Sequence, residues 1–289
     1  MEPSELKKRV GSLSIWKKGE QRAPHKPLLL LYALGQLQSK KSRLLPYEEV
    51  RKILKSLLIE FGPARNYYYP EQPFVRLVND GLWELSTSIY STNINDKWLL
   101  NNGVAGGFSE EVYSLLVENE YLVKDLAEII LHQHFPESIH EDILAAAGLD
   151  FDSRSSRGRD PNFRDRILRA YEYSCAVCGF NVRLAHNLVA VEAAHIKWHQ
   201  AGGPDSEENG LALCTMHHKL FDRGVYTITN EKQLLVAEEA NGTSGFFEWL
   251  MRYHGKEVRS PIHPEYKPKE AFVSWHFREV FKGPARYRA

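Results

Sequence analysis

The chain has 289 residues, and its 37 Lys and Arg are balanced by 37 Asp and Glu, so its formal net charge is zero. Its hydrophobic content of 43% and charged content of 26% are ordinary for a globular protein, and its length predicts two domains. The longest apolar stretch, residues 27–34, is too short to cross a bilayer, and the first residues show no signal pattern. These features argue against a membrane protein and predict a cytoplasmic one.

The charges are unevenly distributed along the chain. Residues 1–80 carry 15 Lys and Arg against 8 Asp and Glu, whereas residues 81–150 carry 2 against 12. Residues 151–170 are basic again, with six arginines and three aspartates. Such segregation is typical of a protein with a basic face for a polyanion. The alternative is two ordinarily solvated helix faces.

Hydrophobic periodicity predicts a first domain of mixed helix and strand over residues 1–150. In residues 47–61 the apolar side chains recur at helical spacing. The run Asn79-Asp80-Gly81 is typical of a turn between two strands. The predicted helices cover residues 5–16, 25–37, 47–61, 109–134 and 138–147, and the predicted strands cover 74–77 and 82–85.

Two stretches of this domain are candidates for contact with a nucleic acid. The first places Arg22, His25 and Lys26 at the N-terminus of the second predicted helix, where unpaired N–H groups and the helix dipole favour a phosphate. The second, residues 66–83, combines aromatic and proline rings with Arg76. An ordinary helix cap beside a hydrophobic turn is the alternative interpretation.

Residues 151–161 are rich in Ser, Gly and Arg and lack periodic apolar residues, which predicts a linker. The second domain then covers residues 162–289, and Asn162 is expected to cap its first helix. An alternating apolar run predicts a strand over 188–196, followed by a polar loop and a short helix over 215–220. Further elements are predicted as a hairpin over 225–237 and helices over 246–253 and 271–281.

All three cysteines lie in this second domain. Cys175 and Cys178 form a CxxC pair, and Cys214 forms a second short-spaced pair with His217. Two such pairs supply the four tetrahedral ligands of a structural Zn²⁺. Buried free cysteines are the weaker alternative, and the odd count argues against disulfides. We therefore expect a small module that is held together by zinc.

The zinc pairs enclose a series of His195, Asn209 and His218, placed on a predicted strand, loop and helix. In order and spacing these residues resemble the HNH nucleases of the ββα-metal class. The resemblance implies that His195 is the general base, that Asn209 holds the loop and orients the base, and that His218 binds a catalytic Mg²⁺ or Mn²⁺. A neutral imidazole is a suitable base near neutral pH. The implied products carry a 5′-phosphate and a 3′-hydroxyl.

One position departs from that family. Many HNH enzymes carry Asp or His directly before the base as a second metal ligand, but this chain has Ala194 there. Glu192 and Asp205 lie nearby in the sequence without standing at the matching position. Glu192 is therefore either a replacement ligand of the catalytic metal or an orienting carboxylate, and the sequence leaves both interpretations open.

The two stretches of the first domain together resemble the sulfur-binding domain of bacterial restriction enzymes that recognise phosphorothioate-modified DNA. In that family the domain stands directly before an HNH domain, as it does here. The resemblance implies a pocket of proline and aromatic carbons, which holds sulfur at little desolvation cost and penalises oxygen. The first candidates for the pocket wall are Pro73 and Phe74, the second are Tyr69 and Pro70, and the candidates for DNA contact are Arg22, His25, Lys26 and Arg76.

The sequence thus predicts an α+β protein with a DNA-reading domain followed by a zinc-stabilised HNH domain. Its expected function is a restriction endonuclease that binds phosphorothioated double-stranded DNA and cuts it nearby. Two alternatives stay open: an HNH nuclease that reads a methylated base or a DNA structure, and a DNA-binding protein whose nuclease domain is inactive. Because cutting both strands needs two active sites or two visits, a homodimer on DNA is a further hypothesis.

Overall fold

A computed structural model describes residues 1–16, 19–87, 95–150 and 161–287 of the chain. The chain divides into two compact units, Met1–Ser153 and Arg154–Ala289. Most of the predicted linker, residues 151–160, lies outside the described residues. No helix in the described ranges is both long enough and apolar enough to cross a membrane.

The first unit combines helices with a small sheet, which confirms the predicted fold class for this part of the chain. Its described residues form the helices α1 (Pro3–Gly11), α2 (His25–Gln38), α3 (Tyr47–Phe61), α4 (Glu71–Arg76), α5 (Asp96–Asn101), α6 (Glu110–Glu118), α7 (Glu120–His134) and α8 (His140–Ala147). The strands are β1 (Leu44–Pro46), β2 (Trp83–Leu85) and β3 (Ala105–Phe108), and single 3₁₀ turns cover Leu77–Asp80 and Glu137–Ile139.

Helix α2 forms the centre of this unit because nearly all of its surface is apolar. Residues 26–35 are buried, and α3, α4, α7 and α8 pack around them. Only one face of α3 is apolar, and its buried side chains recur every three or four residues, as expected for a helix that packs on a core. A Cβ at Gly35 would lie 2.0 Å from the carbonyl oxygen of Ala147 in α8. Glycine is therefore needed where these two helices approach most closely.

The three strands of the first unit form an antiparallel sheet in the order β1-β3-β2. Trp83 pairs with Phe108 across β2 and β3. The ring centre of Phe74 in α4 lies 4.9 Å from that of Tyr47 and 5.8 Å from that of Trp83. These rings form an aromatic core that connects the sheet with α3 and α4.

Three predictions for this unit are wrong. The helix predicted over 5–16 ends at Gly11. Residues 74–77 do not form a strand, since α4 and a 3₁₀ turn cover them. Pro70 has φ −63° and ψ −25°, so the chain is already helical there, and this local geometry outweighs the β-propensity of the following residues. The helix predicted over 109–134 is divided at Asn119, which leaves helical geometry and accepts a hydrogen bond from the Leu122 amide. Asn119 thereby caps α7.

The second unit consists of short helices and two-stranded antiparallel hairpins. Its described strands are β4 (Arg183–Leu184), β5 (Asn187–Leu188), β6 (Val191–His195), β7 (Gly210–Cys214), β8 (Tyr226–Ile228) and β9 (Leu234–Val236). Its helices are α9 (Pro161–Ala170), α10 (Thr215–Asp222), α11 (Ser244–Trp249) and α12 (Glu270–Glu279), with 3₁₀ turns at His199–Ala201, Glu207–Asn209, Met251–Tyr253 and Pro264–Tyr266.

Strands β6 and β7 and helix α10 form the ββα arrangement that the sequence predicts. The two strands pair from Val191 opposite Cys214 to His195 opposite Gly210, α10 follows β7 directly, and α9 packs across both strands. The predicted strand over 188–196 is shorter than expected because Ala190 has φ +57°, which ends the extended conformation between β5 and β6. The hairpin predicted over 225–237 is confirmed as β8 and β9.

Candidate functional site

Cys175, Cys178, Cys214 and His217 form a buried cluster in which all four ligand atoms lie within 4.8 Å of one another. The Sγ atoms of Cys178 and Cys214 are 4.0 Å apart, and Nδ1 of His217 lies 3.1 Å and 3.7 Å from Sγ of Cys214 and Cys175. Tetrahedral zinc geometry requires separations of about 3.8 Å between sulfurs and about 3.6 Å between sulfur and nitrogen. The cluster therefore fits a Zn²⁺ ion with little adjustment.

The surrounding backbone orients these ligands. Nε2 of His217 lies 2.8 Å from the carbonyl oxygen of Trp249, so Nε2 donates its proton there and Nδ1 faces the sulfurs. The CxxC turn is closed by hydrogen bonds from the Cys175 amide to the Phe180 carbonyl and from the Gly179 amide to the Cys175 carbonyl, both 2.9 Å. Gly179 has φ +75°, a conformation that favours glycine. The module is thus shaped for a metal at this position.

His195 stands at the end of β6, and its ring is fixed on two sides. Nε2 lies 2.7 Å from Oδ1 of Asp205. The ring also stacks on Phe163 of α9, with 4.1 Å between ring centres and 15° between planes. The side chain of His195 is 11% exposed, so the imidazole is largely buried and held in one orientation by these contacts.

Asn209 is fully buried and ties together the loop that follows β6. Its side-chain amide donates to the carbonyl oxygens of Lys197 and Pro204, at 3.0 Å and 2.9 Å. Its Oδ1 accepts a hydrogen bond of 2.8 Å from the Lys197 amide. Asn209 therefore has the geometry that a loop-holding residue needs, and its catalytic role stays a prediction.

His218 lies between two carboxylates at the start of α10. Its Nδ1 is 2.6 Å from Oε2 of Glu192, and its Nε2 is 3.1 Å from Oδ2 of Asp222. The other oxygen of Asp222 accepts a hydrogen bond of 3.0 Å from the indole of Trp198. Burial lowers the pKa of His218, but the charges of Asp222 and Glu192 outweigh burial and raise it to about 9. This end of α10 is therefore an acidic site that suits a cation.

Glu192 and Ala194 lie on the same face of β6, because side chains alternate along a strand. Ala194, which stands where the HNH pattern has a second metal ligand, has no side chain that can bind a metal. Glu192, two residues earlier, presents a carboxylate on the same face of the strand. The sequence analysis missed Asp222 altogether, although its i,i+4 spacing from His218 on one helix was a usable signal. Asp205 gave no such signal, since a folded loop brings it to His195.

In the first unit, the N-terminus of α2 lies beside the segment that leads into α4. Arg22 donates to the carbonyl oxygen of Phe61 at 2.9 Å. Burial lowers the pKa of His25, and the nearby positive charge of Arg65 lowers it further. Tyr69 is 54% exposed. Arg76 is exposed as well.

Four other predicted binding residues are buried. Lys26 is 8% exposed, and its ammonium group binds the Asp80 carboxylate and the Ser14 carbonyl oxygen. Pro70 and Pro73 are buried, and Phe74 is 0% exposed within the aromatic core. Lys26 therefore holds the segment before α2 to the turn after α4, and the two prolines and Phe74 belong to the interior of the unit.

Two sequence families match the chain. The family described as ScoMcrA-like, DNA sulfur-binding domain matches residues 3–152, which is more than half of the chain. The family described as HNH endonuclease matches residues 175–229. The second match covers the zinc cluster and all three residues of the His-Asn-His series.

Several solved structures resemble parts of the chain. The sulfur binding domain of ScoMcrA complexed with phosphorothioated DNA is 24% identical, covers 50% of this chain and 98% of its own, and has a TM-score of 0.42. The sulfur binding domain of SprMcrA complexed with phosphorothioated DNA is 23% identical, with coverages of 52% and 95% and a TM-score of 0.44. The Type IV phosphorothioation-dependent restriction endonuclease ScoMcrA is 27% identical, with coverages of 57% and 38% and a TM-score of 0.40.

The comparison with curated proteins gives no significant match. The match over residues 3–152 nevertheless decides the family, and the HNH match decides the type of chemistry. The chain belongs to the family of ScoMcrA-like DNA sulfur-binding domains and, with the HNH domain that follows, is a DNA endonuclease.

Proposed function

We propose that the protein is a restriction endonuclease that recognises phosphorothioated DNA with residues 1–150 and hydrolyses a nearby phosphodiester bond with residues 162–289. Residues 151–161 would link the two activities. The observation that carries this proposal is the presence in one chain of a DNA sulfur-binding domain match and an HNH endonuclease match. The first part would recognise the modified site on the DNA, and the second would hydrolyse the phosphodiester bond.

The sulfur pocket is best placed at the entrance to α4. Sulfur is larger, softer and less strongly hydrated than a phosphate oxygen, so contact with carbon rings costs it less free energy. Tyr69 is half exposed, and the buried Pro70 follows it directly. We therefore assign the pocket surface to Tyr69, and we give the buried Pro70, Pro73 and Phe74 the role of supporting it from below.

The phosphates beside the modification need cations that reach solvent. Arg76 is exposed, and Arg22 and His25 are half-buried at the N-terminus of α2, where the helix dipole adds positive potential. Lys26 has the same charge but is engaged with Asp80. We therefore assign phosphate contact to Arg22 and Arg76 and a positioning role to Lys26. His25, whose pKa is lowered by burial and by Arg65, is assigned a contact with DNA as a neutral hydrogen-bonding group.

In the HNH domain, His195 is proposed to take a proton from the attacking water, and Asn209 to hold the loop that frames this base. The residues proposed to hold Mg²⁺ or Mn²⁺ are Glu192 and His218. Two ligand atoms on one ion at about 2.1 Å and a right angle are about 3.0 Å apart, so the observed 2.6 Å contact needs only a small outward movement of Glu192. When bound, the ion would stabilise negative charge on the phosphate and the leaving oxygen.

The structural metal is proposed to be Zn²⁺, held by Cys175, Cys178, Cys214 and His217. Three thiolates and one imidazole are soft ligands that select zinc over Mg²⁺ or Ca²⁺. These four side chains would fill all four coordination positions of the zinc, which leaves none for a substrate. The zinc would therefore stabilise the fold rather than take part in the reaction.

The proposal is tested with matched duplexes that differ by one phosphorothioate. The full chain with Mn²⁺ should bind and cut the modified duplex, and it should leave the unmodified duplex largely intact at the same salt concentration. Equal cutting of both duplexes at every salt concentration would remove the sulfur assignment while leaving the HNH chemistry in place.

One observation favours a second candidate, an HNH nuclease that reads a modified base. Tyr67 and Tyr69 are 73% and 54% exposed, with ring centres 6.5 Å apart, and aromatic pairs of this kind can receive a flipped base. Cutting of a methylated duplex without sulfur would support this candidate. A homodimer on DNA remains a proposal, which mass measurement of the complex with DNA would test.

A further inference from the structure

Asp205 lies in the loop between β6 and β7, and its carboxylate meets the imidazole of His195. The Nε2 to Oδ1 distance is 2.7 Å, which is the length of a strong charge-assisted hydrogen bond. The Asp205 side chain is 28% exposed and that of His195 is 11% exposed. The pair is thus mostly withdrawn from water, where such a bond is stronger than on an open surface.

The loop around Asp205 is fixed from two directions. On one side, Asn209 donates to the carbonyl oxygen of Pro204 at 2.9 Å. On the other side, Arg166 of α9 donates to the carbonyl oxygen of Asp205 at 2.7 Å and forms an ion pair with Glu207 at 3.0 Å. Both neighbours hold backbone atoms of the loop, and the Asp205 carboxylate faces His195.

We propose that Asp205 is a positioning residue for the HNH base, an inference that rests on the proposed function of His195. A carboxylate only accepts hydrogen bonds, so the shared proton belongs to Nε2 and the lone pair of His195 belongs to Nδ1. Nδ1 then takes the proton from water, the resulting hydroxide forms the new P–O bond, and the bond from phosphorus to the 3′ oxygen breaks. The 3′ oxygen takes its proton from solvent water. The negative charge of Asp205 stabilises the imidazolium that this step creates.

Asp205 is distinct from the proposed metal ligands. Its carboxylate contacts His195, whereas the carboxylates beside His218 are those of Glu192 and Asp222. Glu192 and His195 stand three positions apart on β6 and therefore point to opposite faces of the strand. The titratable and charged groups near the His195 ring are Asp205, His199 at 5.9 Å between ring centres, and Arg166 behind the loop.

The test is Asp205→Asn in the full chain, with single-turnover cutting of the phosphorothioated duplex measured against pH and Mn²⁺ concentration. The rate should fall about 100-fold, the range of a misdirected general base, and the acidic limb of the rate profile should move to lower pH. The half-saturating Mn²⁺ concentration and the affinity for DNA should not change. Asp205→Glu should recover part of the rate, and Asp165→Asn, a surface carboxylate paired with Arg169 on α9, should behave like wild type.

A readout without catalysis is the imidazole titration of His195, followed by NMR, whose midpoint should fall in Asp205→Asn. Unchanged rate and unchanged titration would overturn the proposal. A tenfold rise in the Mn²⁺ requirement with an unmoved pH limb would overturn it as well, since Asp205 would then be a metal ligand. If His195→Ala cuts like wild type, the base assignment itself has failed. If His195→Ala is inactive while Asp205→Asn is normal, only the present inference is wrong.

Discussion

The two candidate sites of this molecule are built in different ways. In the HNH domain the important side chains are fixed by specific partner atoms: sulfur to imidazole, carboxylate to imidazole, and amide to carbonyl. In the sulfur-binding domain the candidate surface depends instead on which rings and cations face outward beside a buried aromatic core. Ligand chemistry constrains sequence spacing strongly, whereas a recognition surface constrains it weakly. The first kind of site can therefore be predicted from sequence, and the second needs the fold.

The same contrast applies to histidine. In the sulfur-binding domain burial lowers the pKa of His25, His134 and His140. In the HNH domain the carboxylates around His218 outweigh burial and raise its pKa. These three histidines are thus held neutral by burial, whereas His218 is held as the partner of two anions.

The largest effect is expected from removal of the structural zinc. Cys178→Ser should lose the metal and unfold residues 162–289, since binding free energy of about 10 kcal/mol at such sites is folding free energy. Elemental analysis should find about one zinc per wild-type chain, and limited proteolysis should show that residues 1–150 stay folded in the variant. His186→Ala, an exposed histidine of the neighbouring hairpin, is the matched control. A well-folded wild type without metal would contradict the zinc assignment.

His195→Ala should reduce the cutting rate about 1000-fold, within the range for loss of a general base. Binding to the phosphorothioated duplex should not change, because that affinity is assigned to the other unit. His199→Ala is the control, since its ring lies 5.9 Å from that of His195 without an assigned role. Rapid cutting by His195→Ala would mean that the HNH assignment of the base is wrong.

Acidification should destabilise the sulfur-binding domain through His134, whose pKa is lowered to about 4 by burial and by the nearby Arg22. Nε2 of His134 is buried without a hydrogen-bond partner in the described residues, so a proton there is poorly compensated. Because the unfolded chain binds that proton near pH 6.5 and the folded chain does not, stability falls as pH drops from about 6.5 towards 4. At pH 5 the loss from this group is about 2 kcal/mol.

Urea unfolding of a fragment of residues 1–150 at pH 7.5 and pH 5 measures this loss. The variant His134→Gln should show a smaller difference between the two pH values than the wild-type fragment does. A wild-type fragment whose stability is the same at both pH values would contradict the buried, neutral state of His134.

The smallest expected effect concerns discrimination between sulfur and oxygen. Tyr69→Ala should reduce the preference for the phosphorothioated duplex about tenfold, which corresponds to the loss of part of one aromatic contact. The wild-type preference should survive added salt, whereas total affinity falls steeply, because phosphate contacts release counterions and sulfur contacts do not. Arg76→Ala should weaken binding to both duplexes equally. Filter binding across a salt series measures all three effects.

The control for this experiment is Tyr67→Ala, which removes the partner ring. If Tyr67→Ala and Tyr69→Ala lose affinity for modified and unmodified duplexes to the same extent, the pair stacks on bases and Tyr69 does not read sulfur. Phe74 is unsuitable for the same purpose. A polar residue there would disrupt the core around Tyr47 and Trp83, so any loss of binding would report unfolding.

The sequence predicted those parts of the fold in which local signals agree. The bounds of α2 and α3 and the start of α10 follow from apolar periodicity and turn residues, and the structure confirms them to within one residue. The strand prediction over 74–77 was wrong. Phe and Val favour strands in general, but the backbone is already helical at Pro70. The exposure of individual side chains was also unpredictable: the sequence ranks Pro73 and Phe74 ahead of Tyr69, and only the structure shows that they are buried while Tyr69 is exposed.

In the nuclease site, the sequence predicted the residues that bind metal or form the HNH motif. It did not predict the carboxylates that contact the histidines. The spacing of Cys175, Cys178, Cys214 and His217 predicts a cluster, and the structure assembles it. Asp205 and Asp222 reach their histidines through a folded loop and through the next turn of a helix. Many carboxylates in a chain satisfy such loose spacing, so only three-dimensional proximity distinguishes these two.

His217 and His218 are neighbours on α10, yet one faces the zinc cluster and the other faces Glu192 and Asp222. Consecutive helical residues differ in direction by about 100°, so the helix fixes the angle between the two sites. The cluster that holds His217 thereby sets the rotational phase of α10 for His218. One extra residue between the two histidines would turn His218 away from both carboxylates while leaving the zinc ligands intact. The domain would then fold with its zinc but lack the arrangement of His218 that activity needs.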